Sequence, residues 1–240
     1  MFFAMNIMPD TDVYQDANTY QDLFWYMPWG VLTSKLLETI QEITPPQGSV
    51  LDLMCGPGHL LHQIAKKRSD ISLEGVDSST EFITYAKNKY SEILFHEVDV
   101  LEWSTSKKYD VVLVTWWIHH LPYDAQEWFI SSIPALLKEK GVAIFADPYI
   151  GNYANETERK IAAAELGYEY LLATIKNNAP ASIIKAAVDI LDCDVMGLEY
   201  KTSMSRMESV FRKVFHEVKI YKTWPNTQSE YWDYYVMCSL

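Results

Sequence analysis

A run of apolar residues that breaks on a glycine turn and resumes as a helix constrains this chain more than any other feature: Val50-Leu51-Asp52-Leu53-Met54-Cys55-Gly56-Pro57-Gly58-His59-Leu60. The pattern predicts a buried strand running into an amphipathic helix. Gly56 and Gly58 carry no Cβ, so the chain bends sharply and its N–H groups approach a ligand at the positive end of the helix. About 20 residues on, a second apolar run, Ile71-Ser72-Leu73-Glu74-Gly75-Val76-Asp77, ends in an acid, where doubly wound nucleotide folds set a carboxylate against ribose hydroxyls. Leu61 stands where the dinucleotide fingerprint G-x-G-x-x-G has its third glycine, which weighs against a nicotinamide dehydrogenase.

Asp52, two residues, then Cys55-Gly56-Pro57-Gly58 resembles the first motif of the class I S-adenosylmethionine-dependent methyltransferases, and the resemblance runs from about Gly48 to Pro148. On it, Asp77 matches the ribose-binding acid and Asp99, in Phe95-His96-Glu97-Val98-Asp99-Val100, the acid that meets the adenine amino group. Tyr109–Thr115 matches the fourth strand, and Leu136–Phe145 a helix end, a glycine turn at Gly141 and the fifth strand. Met54 departs from the pattern, since many members carry a further glycine there. The resemblance implies S-adenosylmethionine as cofactor, with Asp52, Gly56, Gly58, Asp77, Ser78, Asp99, Val100 and Thr115 around it. No Lys or Arg occurs before Lys35, so Tyr20 or Gln21 is left to meet the methionine carboxylate.

Apolar strands are expected at 48–54, 71–77, 93–98, 109–115 and 141–147, alternating with helices at 58–68, 79–90 and 123–139. That alternation predicts a parallel sheet covered on both faces. The fold class expected is α/β: a Rossmann-like, doubly wound, mostly parallel seven-stranded sheet with antiparallel closing strands and a helical cap. Residues 1–46 read as an aromatic helical lid, with Thr11 or Asp12 as a cap and Pro28 starting a second helix. Residues 47–148 form the cofactor-binding core. After Pro148 the rhythm changes to helices near 155–178 and 181–191, so 149–205 reads as an inserted substrate cap. Residues 206–240 then supply the closing helix and two strands.

The 240 residues, 49% hydrophobic, suffice for one core with an elaboration. A net charge of −12 opposes the counterion-releasing contacts that nucleic acid demands. Cys55, Cys193 and Cys238 have neither an even number nor metal-ligand spacing, which suits a reducing compartment. No run approaches the ~20 apolar residues of a membrane span, and the first residues lack a charged leader. The expectation is a cytoplasmic monomer or homodimer with a small-molecule partner, and neither nucleic acid nor membrane.

Ligands of open α/β sheets bind outside the carboxyl ends of the strands, so Thr115-Trp116-Trp117-Ile118-His119-His120-Leu121-Pro122 is expected to border the reacting methyl. His119 and His120 either take a proton from an acceptor or tie the loop to its neighbours; no metal site is expected. Asp147 either orients an acceptor or caps the loop before Pro148. Trp116, Trp117, Tyr149, Tyr168 and Tyr170 are the candidate walls of an acceptor space, attracting a cation or stacking on a planar group. The reaction expected is methyl transfer to an oxygen or nitrogen of a small, partly apolar or aromatic molecule. A non-methylating use of the same cofactor, by cyclisation or donor remodelling, and a noncatalytic cofactor-bound module are the alternatives.

Overall fold

The computed structural model describes residues 17–229 and 231–240. Thr11 and Asp12 lie outside them. Helices α1 (Ala17–Tyr26) and α2 (Trp29–Ile43) lead into β1 (Ser49–Leu53), α3 (His59–Lys67), β2 (Ser72–Asp77), α4 (Thr80–Lys89), β3 (Leu94–Glu97) and β4 (Tyr109–Thr115). There follow α5 (Tyr123–Ser132), β5 (Leu137–Tyr149), α6 (Glu156–Lys176), α7 (Ala181–Met196), α8 (Met204–Val214), β6 (Glu217–Trp224) and β7 (Trp232–Ser239). The seven strands form one sheet in the order β3-β2-β1-β4-β5-β7-β6. The first five are parallel, and β7 runs antiparallel to both β5 and β6. The order reverses between β1 and β4, which puts the topological switch point beside the glycine turn.

Side chains alternate across the sheet with period two. Val50, Val111, Leu113, Ile144 and Ala146 join the cluster shared with α2, α3, α6 and α7. Leu51, Leu53, Val112, Val114, Ala143 and Phe145 join the opposite cluster, where Phe129 of α5 and Phe211 of α8 pack. Both faces of these strands are therefore buried, which is why they read as continuous apolar runs.

One boundary differs from the sequence reading. The helix expected over 123–139 ends at Ser132; a short 3-10 turn, Ile133–Leu136, follows, and Leu137 already pairs with Tyr109 as the start of β5. Pro134 is the cause: it has no N–H to donate and its ring collides with the carbonyl four residues back. Gly141 accordingly lies within the strand rather than in a turn before it.

Candidate functional site

The carboxyl ends of β1, β2 and β4 converge on the glycine turn. Gly56 N–H donates to Asp77 Oδ2 at 2.8 Å and Ser79 N–H donates to Asp77 Oδ1 at 2.9 Å, so this acid ties the turn to the start of α4. Each carboxylate oxygen accepts more than one bond, so both retain capacity toward a ribose. Burial raises the Asp77 carboxyl above its ordinary range, and the N–H donors oppose it. Asp52 is buried with Oδ1 unpaired, and burial followed by Asp77 pushes its carboxyl well up. Asp99 accepts from Leu101 N–H at 2.9 Å and remains partly exposed. Tyr20 of α1 lies over this edge, its hydroxyl raised by burial and by Asp77, Asp52 and Asp147.

The two glycines differ in what they do. At Gly56 (φ +53°) an added Cβ would meet nothing nearer than Tyr20 at 3.7 Å. At Gly58 (φ +76°) it would strike the Phe95 ring at 2.7 Å. Gly56 thus keeps the ligand side open, whereas Gly58 permits α3 to pack on β3. Met54 adopts φ +58°, a left-handed conformation that explains why a glycine is the easier choice there.

Farther along the edge, β4 is followed by Trp116 in the left-handed region (φ +51°), its ring edge-on to Phe24 at 5.1 Å and its Nε1 unpaired. His119 then lies buried between two acids. Its Nδ1 is 2.7 Å from Asp147 Oδ1, its backbone N–H donates to Asp147 Oδ2 at 3.2 Å, and its Nε2 is 3.4 Å from Glu199 Oε2. His120 Nδ1 is 2.8 Å from the same Glu199 oxygen. Burial, then His120 and Lys201, holds His119 well below the usual imidazole range. Burial also raises Asp147 well above the carboxylate range, with Lys201 opposing it. Lys201 pairs with Asp194, and Tyr200 N–H donates to the His119 carbonyl at 2.6 Å. These bonds lay the segment 197–203, which follows α7, along the ends of β4 and β5.

The sequence-predicted residues divide accordingly. Tyr20, Asp52, Gly56, Asp77, Trp116, His119, His120 and Asp147 meet along one edge, with Asp99 at the β3 end and Thr115 buried at the end of β4. Ser78 is exposed beside Asp77. Val100 is buried in the apolar cluster of the α5–α8 face, and Gly58 packs against Phe95. Trp117 turns to that same face and packs on Phe129 at 5.8 Å, away from Trp116, because successive residues leaving a strand point oppositely. Tyr149 is buried against Tyr234, its hydroxyl unpaired. Tyr170 is a core residue, stacked on Trp224 at 5.1 Å and donating to Asp233. Tyr168 is a correction: it is 56% exposed on the outer side of α6, in an acidic groove with Glu165 and Glu169. The α6 periodicity that buries Leu166 and Tyr170 turns it outward. Sequence reading missed Glu199, Lys201, Asp194 and Asp233. The one signal available was the charged triplet Glu199-Tyr200-Lys201 set among helix-forming stretches.

Comparison with known proteins agrees with this edge. A family model described as a methyltransferase domain matches residues 50–141. A carboxy-S-adenosyl-L-methionine synthase of Campylobacter fetus subsp. fetus is 32% identical over 44% of this chain and 46% of its own length. Its counterpart from Campylobacter lari is 24% identical over 80% of this chain and 84% of its own. The chain thus spans about half the length of the first of these curated relatives. The plantazolicin methyltransferase BpumL, solved with a pentazolic desmethylPZN analog and SAH, shares the fold at a TM-score of 0.62 with 16% identity, covering 96% of this chain and 92% of that one. Residues 50–141 thus match a methyltransferase domain, and the sheet order with its closing antiparallel pair is the fold shared with solved methyltransferases.

Proposed function

We propose that the chain binds S-adenosylmethionine along the ends of β1 to β3 and transfers its methyl group to an oxygen or nitrogen of a small molecule held beside β4, β5 and the 149–205 segment. The observation that carries the reading is the row of acids Asp52, Asp77 and Asp99 at one end of the parallel strands, next to a glycine turn whose Gly56 has open space toward Tyr20. The unpaired, buried Asp52 Oδ1 fits an amino or hydroxyl donor of that cofactor. A sulfonium supplies an activated methyl carbon, and the barrier falls mainly when donor and acceptor are held in line. Asp77 would accept from the ribose and Asp99 from the adenine. Trp116, Phe24 and Tyr20 would wall off water. The buried group of His119, Asp147, His120 and Glu199 would position the acceptor.

The second reading, remodelling of the donor itself, draws on the carboxy-S-adenosyl-L-methionine synthases among the relatives. Mass spectrometry after incubation with methyl-labelled cofactor and panels of amines and alcohols separates the two. S-adenosylhomocysteine formed in step with a methylated acceptor supports methyl transfer. A heavier cofactor derivative without methylated product establishes the second reading, and failure to bind the cofactor overturns both.

A further inference from the structure

We infer that His119, His120 and Glu199 form a binding site for a divalent transition-metal ion. One ligand atom from each of these side chains lies within 4.8 Å of the others. The separations to Glu199 Oε2, 3.4 Å from His119 Nε2 and 2.8 Å from His120 Nδ1, bracket the span that ligands about 2.0–2.2 Å from a common ion subtend, roughly 3.0–3.4 Å. Two imidazoles and one carboxylate are the donor set that suits zinc or iron(II) rather than magnesium or calcium.

Two independent observations point to a ligand here. Glu199 is 2% exposed, and its carboxylate faces imidazole nitrogens, His120 Nδ1 at 2.8 Å and His119 Nε2 at 3.4 Å. A carboxylate buried this deeply is costly unless it is paired, and a metal ion held by the same imidazoles would pair it. The second observation is the outer partner of His119. Asp147 grips the imidazole through Nδ1 at 2.7 Å and the backbone N–H at 3.2 Å, the arrangement that fixes the ring and the basicity of a metal-ligating histidine.

The formal charge of the surroundings agrees. Asp147, Asp194 and Glu199 are all buried, and Lys201 is the ammonium among them. Arg159, which reaches the Asp194 carbonyl, is already matched by Glu156. Glu199 comes from the segment after α7 and the histidines follow β4, so the ion would fasten 197–203 across the sheet edge.

The test uses the full chain, stripped with chelator and freed of any affinity tag, with Zn2+ and Co2+ as probes. Expected are one equivalent of Zn2+ per chain by calorimetry and elemental analysis, visible ligand-field bands for the Co2+ form, and a higher melting temperature with Zn2+. Glu199→Gln and His120→Gln should each weaken binding by roughly 100-fold or more, and Asp147→Asn, which removes an outer partner only, by roughly 10–100-fold. Circular dichroism of each variant establishes that it is folded. His120→Gln alters a half-buried group and serves if Glu199→Gln does not fold. Absence of stoichiometric binding to the native chain overturns the inference, as does unchanged affinity in the folded variants. Ion binding is read without cofactor or acceptor, so its failure leaves the methyl-transfer reading standing.

Discussion

The two halves of the candidate site are built by opposite means. On the β1–β3 side, the glycine turn and Asp77 sit within one strand–turn–helix–strand unit, and their bond, Gly56 N–H to Asp77, spans 21 residues. On the β4–β5 side, Asp147 reaches back 28 residues to His119, and Glu199 comes from beyond two long helices. The first half is a backbone device, in which N–H groups and conformational freedom do the work. The second is a side-chain device, in which burial sets the protonation of each group. The difference teaches that a cofactor motif tolerates drift elsewhere in the chain, whereas the acceptor side depends on how distant segments happen to pack.

The comparison breaks most sharply at Gly58. A valine there faces both a left-handed backbone and a 2.7 Å collision with Phe95, so Gly58→Val should lose several kcal/mol of stability, read by chemical denaturation. Binding lost with the fold kept is expected at Gly56, where Gly56→Ala should cost little stability beyond the roughly 1–2 kcal/mol of the left-handed conformation while weakening cofactor binding. If Gly58→Val proves as stable as the native chain, the packing role assigned to it is wrong.

Asp77→Ala is the next largest effect. Two charge-assisted hydrogen bonds, each worth roughly 1.5–3 kcal/mol, predict an affinity for S-adenosylmethionine lower by about 100-fold or more in calorimetry. Equal affinities would remove Asp77 from the cofactor half.

A pH measurement sharpens the side-chain half. Burial, moderated by the Tyr170 hydroxyl, raises Asp233 to about 7, against an ordinary value of 3.8. A carboxyl that holds its proton more tightly when folded stabilises the fold most at low pH, and this contribution is lost as pH rises from about 4 through 7. Asp233→Asn keeps an acceptor for Tyr170 and cannot ionise. Its melting temperature relative to the native chain should therefore climb across that window, and a constant difference would show that Asp233 does not titrate there. Smallest of all is Tyr168→Ala, which should change cofactor affinity, turnover and stability within about 0.5 kcal/mol, because the ring is exposed on the far side of α6. A large loss of turnover would return that tyrosine to the acceptor space.

Much of this was legible beforehand where the cause is local. Apolar runs, the turn glycines and the acid that closes strand two mark their own positions, since each answers a backbone or burial requirement within a few residues. The helix over 123–139 misled because its apolar spacing continues past Pro134, and only the pairing of Leu137 with Tyr109 reveals where the strand begins. Tyr168 and Tyr170 were equally aromatic in the sequence, yet two residues on a helix differ by some 200° in direction.

The sequence by itself determined the doubly wound core, the turn at Gly56 and the acid Asp77, because these follow from side-chain periodicity and backbone freedom along a short stretch, while Asp99 came only from the resemblance to a known family. Tertiary structure alone decided that His119 and His120 face Glu199, that Lys201 is buried with Asp194, and that Tyr170 leans on Asp233. Those arrangements depend on where α6 and α7 return the chain, and the charges they bury acquire their properties from neighbours that no spacing in the sequence brings together.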